Sequence, residues 1–496
     1  MRLYIITFLV GTFCYSCKNS TNESLPPNIV FFFVDDMGWQ DTSLPFHTEV
    51  TQLNENYYTP NMVQLAEDGV KFTQAYATAV CSPSRISLMT GMNAARHMVT
   101  NWTLRKDQSP DPEHSIIQPP EWNMNGLSNQ KGDSLTYFAT TLPQILQQNG
   151  YQTIHVGKAH FGAKDTPGSD PRNLGFDVNI AGHAAGGPGS YLGKYNYSAD
   201  WRQPGNLIWD VPGLDKYHGT DVFLTEALTI EAKEAVSEAV EDGSPFYLYM
   251  SHYAIHAPWE KDERFYTKYE GGGLSQFDAV FAAMIEGMDK SLGDIREHLN
   301  NLGVSDNTII VFMSDNGSPK QATRNLPLRG HKLLPYEGGV RVPMVVYWPG
   351  VSQAGTTEDQ YVIIEDVFPT FLEMAGVASK QIPETDGISF VPMLKGEEVD
   401  EQERPIFWHF PHTYDQFPYS AMRKGKWKLI YRHTERALEL YDIENDLGES
   451  TNLVESETQK TEELAKILTS YLLETRALMP IDNRTGKAIE MPSEHI

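Results

Sequence analysis

Two short runs restrict the fold before anything else. Ile29 to Val34 (IVFFFV) and Ile309 to Met313, within the segment TIIVFM, are apolar stretches of strand length with no alternation of polar residues. Such a strand is buried on both faces, as in a parallel sheet covered by helices on each side. Both runs stop on polar residues, Asp35-Asp36-Met37-Gly38 after the first and Ser314-Asp315-Asn316-Gly317 after the second. Helical signals alternate with strands. Thr59-Pro60 starts a helix that Gly69 ends, and Leu142 to Asn149 form another, ended by Gly150 and followed by the strand YQTIHV. Phe281, Met284, Ile285, Met288, Leu292, Ile295, Leu299 and Leu302 share one face of a long helix. The expected class is α/β, and a parallel sheet would bring the acidic strand ends to one edge, where open α/β sheets bind ligands.

A chain of 496 residues has room for two or three domains at about 100–200 residues each. From about Lys395 the pattern changes to a polar linker, KGEEVDEQERP, and then to shorter β-like runs, PIFWHF, WKLIYR and ALELYDI. A last helix is expected from Ser456, with Gln459 completing a capping box and Leu464, Ile467, Leu468, Tyr471 and Leu472 on one face. The expected organisation is a signal segment at 1–16, a linker at 17–27, a mostly parallel α/β domain at 28–394 and a small α+β domain at 395–496, an antiparallel sheet with a helix. With 39 Lys+Arg against 65 Asp+Glu, a net charge of −26, and no basic stripe, nucleic acid is excluded as a partner. An anionic substrate would have to be held by local cations against that overall field.

The N-terminus, Met1-Arg2 followed by an apolar run to Phe13, is too short to span a bilayer and suits a secretory signal. It ends in Cys14-Tyr15-Ser16-Cys17 and polar residues. This resembles a bacterial lipoprotein signal that would leave Cys17 lipidated, with Cys14 where Leu is usual; ordinary signal cleavage nearby is the other reading. The expected location is the cell envelope, lipid-anchored at a bacterial membrane or surface, or else the periplasm or the medium. Of the 3 Cys, cleavage would leave Cys17 and Cys81, and acylation of the first removes any disulfide partner for the second.

Cys81-Ser82-Pro83-Ser84-Arg85 stands ahead of Ile86-Ser87-Leu88-Met89-Thr90-Gly91. With Ser82 as N-cap and Pro83 at the first helical position, Cys81 would sit at a helix N-terminus that favours negative charge, and Arg85 would face the same way. On these residues alone the segment is either an anion site with a sulfur nucleophile or a helix start with an inert buried thiol. Asp35, Asp36, Asp315 and Asn316 offer a hard, all-oxygen set that suits Ca²⁺ or Mg²⁺ and disfavours Zn²⁺. Paired acids elsewhere are commonly surface or capping residues.

The Cys81 segment resembles the signature of the formylglycine-dependent, type I sulfatases, Cys-x-Pro-x-Arg followed by a helix and Thr-Gly. Five further segments match in order: Asp35-Asp36; Gly157-Lys158-Ala159-His160, where the family more often has Trp at 159; His256 before Ala257-Pro258; Ser314 to Gly317; and Lys332, four residues ahead of Tyr336-Glu337-Gly338-Gly339. His252 reads as core or as support. The resemblance runs from about Asn28 into the C-terminal segment and implies an alkaline-phosphatase-like α/β fold with a small C-terminal sheet domain. It implies that a formylglycine-generating or anaerobic sulfatase-maturing enzyme converts Cys81 to formylglycine. It further implies that Asp35, Asp36, Asp315 and Asn316, with residue 81, hold one Ca²⁺, and that Arg85, Lys158, His160, His256 and Lys332 complete the catalytic set. In that family's reaction the hydrated aldehyde attacks sulfur and expels the alcohol, after which the second hydroxyl is deprotonated and sulfate leaves. The resemblance assigns His256 and Lys332 to the first half and His160 to the second.

Residues available to read the alcohol portion are Arg96 and His97 with Thr100, Asn101 and Trp102; His183; Arg324, Arg329 and His331; and Trp408-His409 with His412. Trp stacks on sugar faces and Arg pairs carboxylates bidentately. The expected substrate is therefore a sulfated polysaccharide or oligosaccharide, algal ulvan or carrageenan first and glycosaminoglycan next. Two rival classes are a metal-dependent phosphoesterase of the same superfold, with an unmodified nucleophile, and a non-catalytic carbohydrate-binding relative, although no expected polar position is missing here.

Overall fold

The computed structural model describes residues 26–321, 325–397, 399, 403–415 and 417–495. The expected signal segment, Cys17 and Arg324 lie outside these residues. Strand β1 (Asn28–Val34) is buried along its whole length. Ile29, Phe31 and Phe33 enter one apolar core, while Val30, Phe32 and Val34 enter another. That is the two-residue period of a strand covered on both faces.

β1 lies inside a nine-stranded sheet. In chain order the others are β2 (Val70–Tyr76), β3 (Gln152–Gly157), β4 (Val178–Ile180), β5 (Phe246–Ser251), β6 (Thr308–Ser314), β7 (Arg341–Tyr347), β8 (Thr356–Glu358) and β9 (Val362–Ile363). Their spatial order is β8-β2-β7-β6-β1-β5-β3-β4, with β9 also paired to β2. Every pairing is parallel except the two made by β7.

Helices α1 (Pro60–Asp68), α2 (Cys81–Thr90), α3 (Leu142–Gln148), α4 (Leu224–Asp242), α5 (Gln276–Asn301) and α6 (Val367–Met374) cover the sheet. α2, α3 and α6 pack on the Phe31 face, and α1, α4 and α5 on the Phe32 face. The long apolar stripe expected from Phe281 to Leu299 is the buried side of α5.

The C-terminal part is an antiparallel sheet of β10 (Ile406–Phe410), β11 (Tyr419–Lys424), β12 (Trp427–Arg432) and β13 (Ala437–Asp442), in chain order, with α7 (Thr458–Glu474) on one face. Its other face, through Ile406, Trp408, Phe410, Ala421 and Ile430, joins the core of the large sheet. β11 carries no apolar run long enough to announce it in the sequence. α7 begins at Thr458 and not at Ser456: the Ser456 hydroxyl donates to Leu453 O, and Glu457 is an N-cap without a side-chain bond. Among the described residues no helix is long and apolar enough to cross a membrane.

Candidate active site

Neighbouring strands β6, β1, β5 and β3 end in register, with Ser314 beside Val34, Phe33 beside Ser251, and Ser251 beside Gly157. Their next residues therefore emerge side by side: Asp315 and Asn316, Asp35 and Asp36, the segment to His256, then Lys158 and His160. β7 runs the other way, so its beginning lies at this edge and delivers the preceding loop, which carries Lys332. β2 ends at Tyr76 and leads through Ala77–Val80 into α2, whose first residue is Cys81.

Val80, and not Ser82, is the N-cap of α2. The Ser82 hydroxyl instead accepts from Thr103 N–H (3.1 Å), and Thr103 O holds the His160 Nε2 (2.8 Å). A carbonyl only accepts, so Nε2 carries the proton; Nδ1 is buried without a hydrogen-bond partner and keeps a free lone pair. His256 is fixed the opposite way: its Nδ1 donates to Ala257 O (2.8 Å), and its Nε2 lies 3.9 Å from Asp36 Oδ2.

The Cys81 Sγ is 3.6 Å from Asp35 Oδ1 and 3.2 Å from Lys332 Nζ. Lys332 also donates to Asp36 Oδ1 and Lys158 to Asp35 Oδ2, each at 2.5 Å. Arg85 binds Asp315 through Nε (3.0 Å) and Nη2 (2.7 Å), and its Nη1 reaches Ser251 Oγ and Lys158 O. These bonds turn Arg85 inward, behind the carboxylates, and neither it nor Lys158 lines the cavity described below. At Gly157, φ is +100° and a Cβ would fall 1.9 Å from Ser251 O, so only glycine allows β3 to turn Lys158 into this position.

Ligand atoms of Asp35, Asp36, Cys81 and Asp315 lie within 4.8 Å of one another. Asn316 donates from Nδ2 to Asp36 Oδ1 and Gly317 O, which leaves its Oδ1 buried and without a hydrogen-bond partner. A bare acceptor converging with carboxylates is what a hard cation satisfies. Burial, then the charge of Asp315, pushes the Asp35 carboxyl well above its usual range against the pull of Lys158; a bound cation would relieve that repulsion. Burial pushes Asp36 up, but Lys332, His256, Lys158 and the Asn316 hydrogen bond together hold it below the usual range. Burial pushes the Cys81 thiol up to about 12, although Lys158 and Lys332 oppose it. Burial lowers His256 to about 4, with Asp36 opposing, and drives His160 well below the ordinary imidazole value, with Lys158 and Arg85 adding to the effect.

Asp36, Cys81, His160, His256 and Lys332 form the floor of a cavity of about 490 Å³, and the other groups support them from beneath. Asp36, Cys81, His160, His256, His331 and Lys332 line it, together with Trp102, Trp209, Trp259, Tyr414, Lys320 and Asp415. Of the described residues expected to read the sugar, Trp102 and His331 are present there. His97 is buried beneath α2 on Ser87 Oγ and Val99 N–H. His409 bridges Ser420 and Leu478 O inside the small sheet, Trp408 donates to Ala77 O, and His412 pairs with Asp111 and Thr100. Arg96 is spent on Asp386 and Glu474, and Arg329 on Tyr441 and Glu449 O. His183 gives its carbonyl to His160 N–H while its ring stays off the cavity. Burial takes His97, His409 and His412 off the cavity, and Arg96 and Arg329 are held by their partners at the surface. His252 is core, bonded to Ser291 and packed on Phe32.

Trp209, Trp259 and Tyr414 were not apparent in the sequence, and neither were Gly186 and Gly187. A Cβ at Gly186 would lie 2.3 Å from the His160 ring and one at Gly187 2.7 Å from His256 Nδ1, so this pair lets the backbone close over both imidazoles. The Gly-Gly of AAGGPG was the available signal.

The sulfatase family profile matches residues 27–377, and that of the C-terminal region of N-sulphoglucosamine sulphohydrolase matches 331–477. A sulfatase of Formosa agariphila is 29% identical over 518 residues, covering 94% of this chain and 91% of its own. The N-acetylgalactosamine-6-sulfatase of Mus musculus is 32% identical over 405 residues, covering 78% of this chain and 69% of its own. The solved structure of Ps i-CgsB in complex with k-i-k-neocarrahexaose superposes with a TM-score of 0.75 at 27% identity, covering 91% of this chain and 93% of that one.

Proposed function

The chain belongs to the sulfatase family and is a sulfuric ester hydrolase acting on sulfated sugars, and from that premise we propose that it desulfates an algal galactan of the carrageenan type, using a formylglycine made from Cys81 and one Ca²⁺. The observation that carries this reading is the convergence of three carboxylates on Cys81, with the bare Asn316 oxygen in the residue bonded to Asp36, beneath an aromatic-walled cavity.

Asp35, Asp36, Asp315, Asn316 and residue 81 would hold the ion, which supplies positive charge against the sulfate oxygens. Formylglycine supplies a hydrated aldehyde oxygen as the nucleophile. A thiol raised to about 12 is protonated at neutral pH and a poor nucleophile, which supports conversion over use of the cysteine as it stands. Lys158 and Arg85 hold Asp35 and Asp315 in place from behind. Burial works against the charge on Lys332, but Asp36 and the other acidic groups around it together hold its ammonium well above the ordinary lysine range, and it brings a proton to the departing alcohol. His256 stands beside it on the same cavity wall. His160, with Nδ1 free, takes the proton that releases sulfate.

Among the described residues the cavity lining contains no arginine, and its walls are Trp102, Trp209, Trp259 and Tyr414. This suits a sugar whose charge is its sulfate better than one bearing uronates, and thereby favours carrageenan over ulvan or glycosaminoglycan. Export and acylation at Cys17 complete the proposal, as does maturation by a formylglycine-generating or anaerobic maturing enzyme. Sulfate release from defined neocarrageenan, ulvan and chondroitin oligosaccharides tests the substrate. Release from the first at least tenfold faster is expected; preferred release from a uronate-bearing substrate would overturn the assignment.

A further inference from the structure

Lys332 hangs on a loop that the C-terminal sheet grips on both sides. Three residues before it, the Arg329 guanidinium lies 3.8 Å over the Tyr336 ring and donates to Tyr441 Oη (3.1 Å) and Glu449 O (2.9 Å). Beyond it, Tyr336 Oη donates to Glu439 Oε2 (2.8 Å), which also accepts from Tyr441 (2.8 Å), and Glu337 N–H donates to Glu449 Oε2 (2.7 Å). Glu449 thus holds one shoulder of the loop with its carbonyl and the other with its carboxylate. Lys428 of β12 lies between Glu449 (3.1 Å) and Glu337 (2.8 Å), all three side chains fully buried. Glu337 also accepts from Tyr76 Oη (2.6 Å).

Adhesion alone does not account for this. The small sheet already joins the large core through an apolar face, and buried ion pairs add little net stability over well-packed apolar groups. What charged, multiply bonded groups add is direction. Glu449 moreover adopts φ 49°, a left-handed conformation that a side chain enters only when its surroundings demand it. Between the two grips, Lys332 N–H is tied to Ser318 O and Leu333 N–H to Ala79 O, next to α2. The backbone is thereby tied at Lys332, and its side chain reaches Asp36 and Cys81.

We infer that Glu439 of the C-terminal sheet and Glu449, in the segment that follows its last strand, are positioning residues for the sulfatase reaction, acting through Lys332. The inference rests on the role given to Lys332 above. A double-mutant cycle on mature enzyme, read as kcat/KM for a small aryl sulfate, tests it. Glu449→Ala is expected to lower kcat/KM about 10-fold or more, since displacing a reacting group by about 1 Å can cost about 10²-fold. In a Lys332→Ala background the same change should cost less than about 2-fold, because the residue it serves is gone. An equal factor in both backgrounds would mark a loss unrelated to Lys332 and overturn the inference, as would full activity of the single variant. Should Glu449→Ala fail to melt cooperatively, the cycle is run with Tyr336→Phe, which deletes only the hydroxyl bond to Glu439, and is judged by the same criterion. Undiminished activity of Lys332→Ala would refute the role of Lys332 and the positioning together, so the two failures are told apart.

Discussion

The floor and the walls of the cavity are built on opposite principles. The floor, with Asp36, Cys81 and Lys332 at the cavity and Asp35, Asp315, Asn316, Arg85 and Lys158 packed beneath them, lies almost wholly out of water, with nearly every polar atom committed to another. The walls are half-exposed aromatic rings contributed by four separate segments, and Trp102 and Tyr414 meet edge to face at 5.5 Å. A sulfate group is the same on every substrate, so a fixed ionic cradle suits it; the sugar differs from substrate to substrate, and apolar faces can change without disturbing that cradle. The comparison teaches that chemistry and specificity are separable here, and each prediction below asks whether they separate as described.

The largest effect belongs to the floor. Asp315→Asn keeps the shape that Arg85 and Lys158 pack against but removes a charge from the proposed ion site. Activity should fall by at least about 10³-fold on every sulfate ester, the upper end of the loss for one charge-stabilising group. Chelation of the wild type should abolish turnover, with Ca²⁺ restoring it, and should leave the variant as inactive as before. A variant with a tenth of the activity, or a metal-free wild type at full rate, would mean that the floor does not hold a required cation. The Cys81 peptide of active enzyme should have the mass of formylglycine; an intact thiol there would remove the proposed nucleophile.

A smaller, step-specific effect is expected from His160. Its Nε2 proton is given to Thr103 O, so the free Nδ1 can only accept. His160→Ala should spare the first release of alcohol and slow the later release of sulfate by about 10²–10⁴-fold, the usual worth of a general base. Stopped-flow traces should then show a burst of about one alcohol per enzyme with sulfated protein in the intact mass. Loss of the burst would place His160 in the first step, where His256 and Lys332 are assigned.

Asp35, Asp36, Asp315 and Asn316 were legible from the residues themselves, because they sit at the ends of buried strands, whereas Lys158, His160, His256 and Lys332 were reached through the family resemblance. Asp35-Asp36 and Ser314 to Gly317 follow directly on buried runs, and the parallel sheet does the rest. The large sheet itself was readable for the same reason. What could not be read was burial. His97 and His409 suggest chemistry by residue type yet are buried, and Arg96 and Arg329 are consumed by partners distant in sequence, Asp386 and Glu449 respectively. The reversed direction of β7, which brings Lys332 to the edge by its start, also has no local signature. The walls were the least legible. Trp209, Trp259 and Tyr414 belong to no motif, and a lone aromatic residue in a loop is ordinarily core.

The smallest predicted effect comes from those walls and is the sharpest test of the separation. Trp102 is partly buried and faces the cavity from a segment that makes no contact with Asp35, Asp36 or Asp315 through hydrogen bonds or ion pairs. If a sugar ring covers roughly 60 Å² of its face, the area term of about 25 cal/mol per Å² gives about 1.5 kcal/mol, or about 10-fold in affinity. Trp102→Ala should therefore raise KM about 10-fold for a sulfated oligosaccharide with kcat unchanged, which is the signature of lost uniform binding. A small aryl sulfate, too short to reach the wall, should show neither change. Equal losses on both substrates would mean that Trp102 shapes the floor through Thr103, its chain neighbour, whose carbonyl accepts the His160 Nε2 proton, and that chemistry and specificity are coupled at this point. No loss on either would remove Trp102 from the sugar's path and leave Trp209, Trp259 and Tyr414 to form the recognition surface.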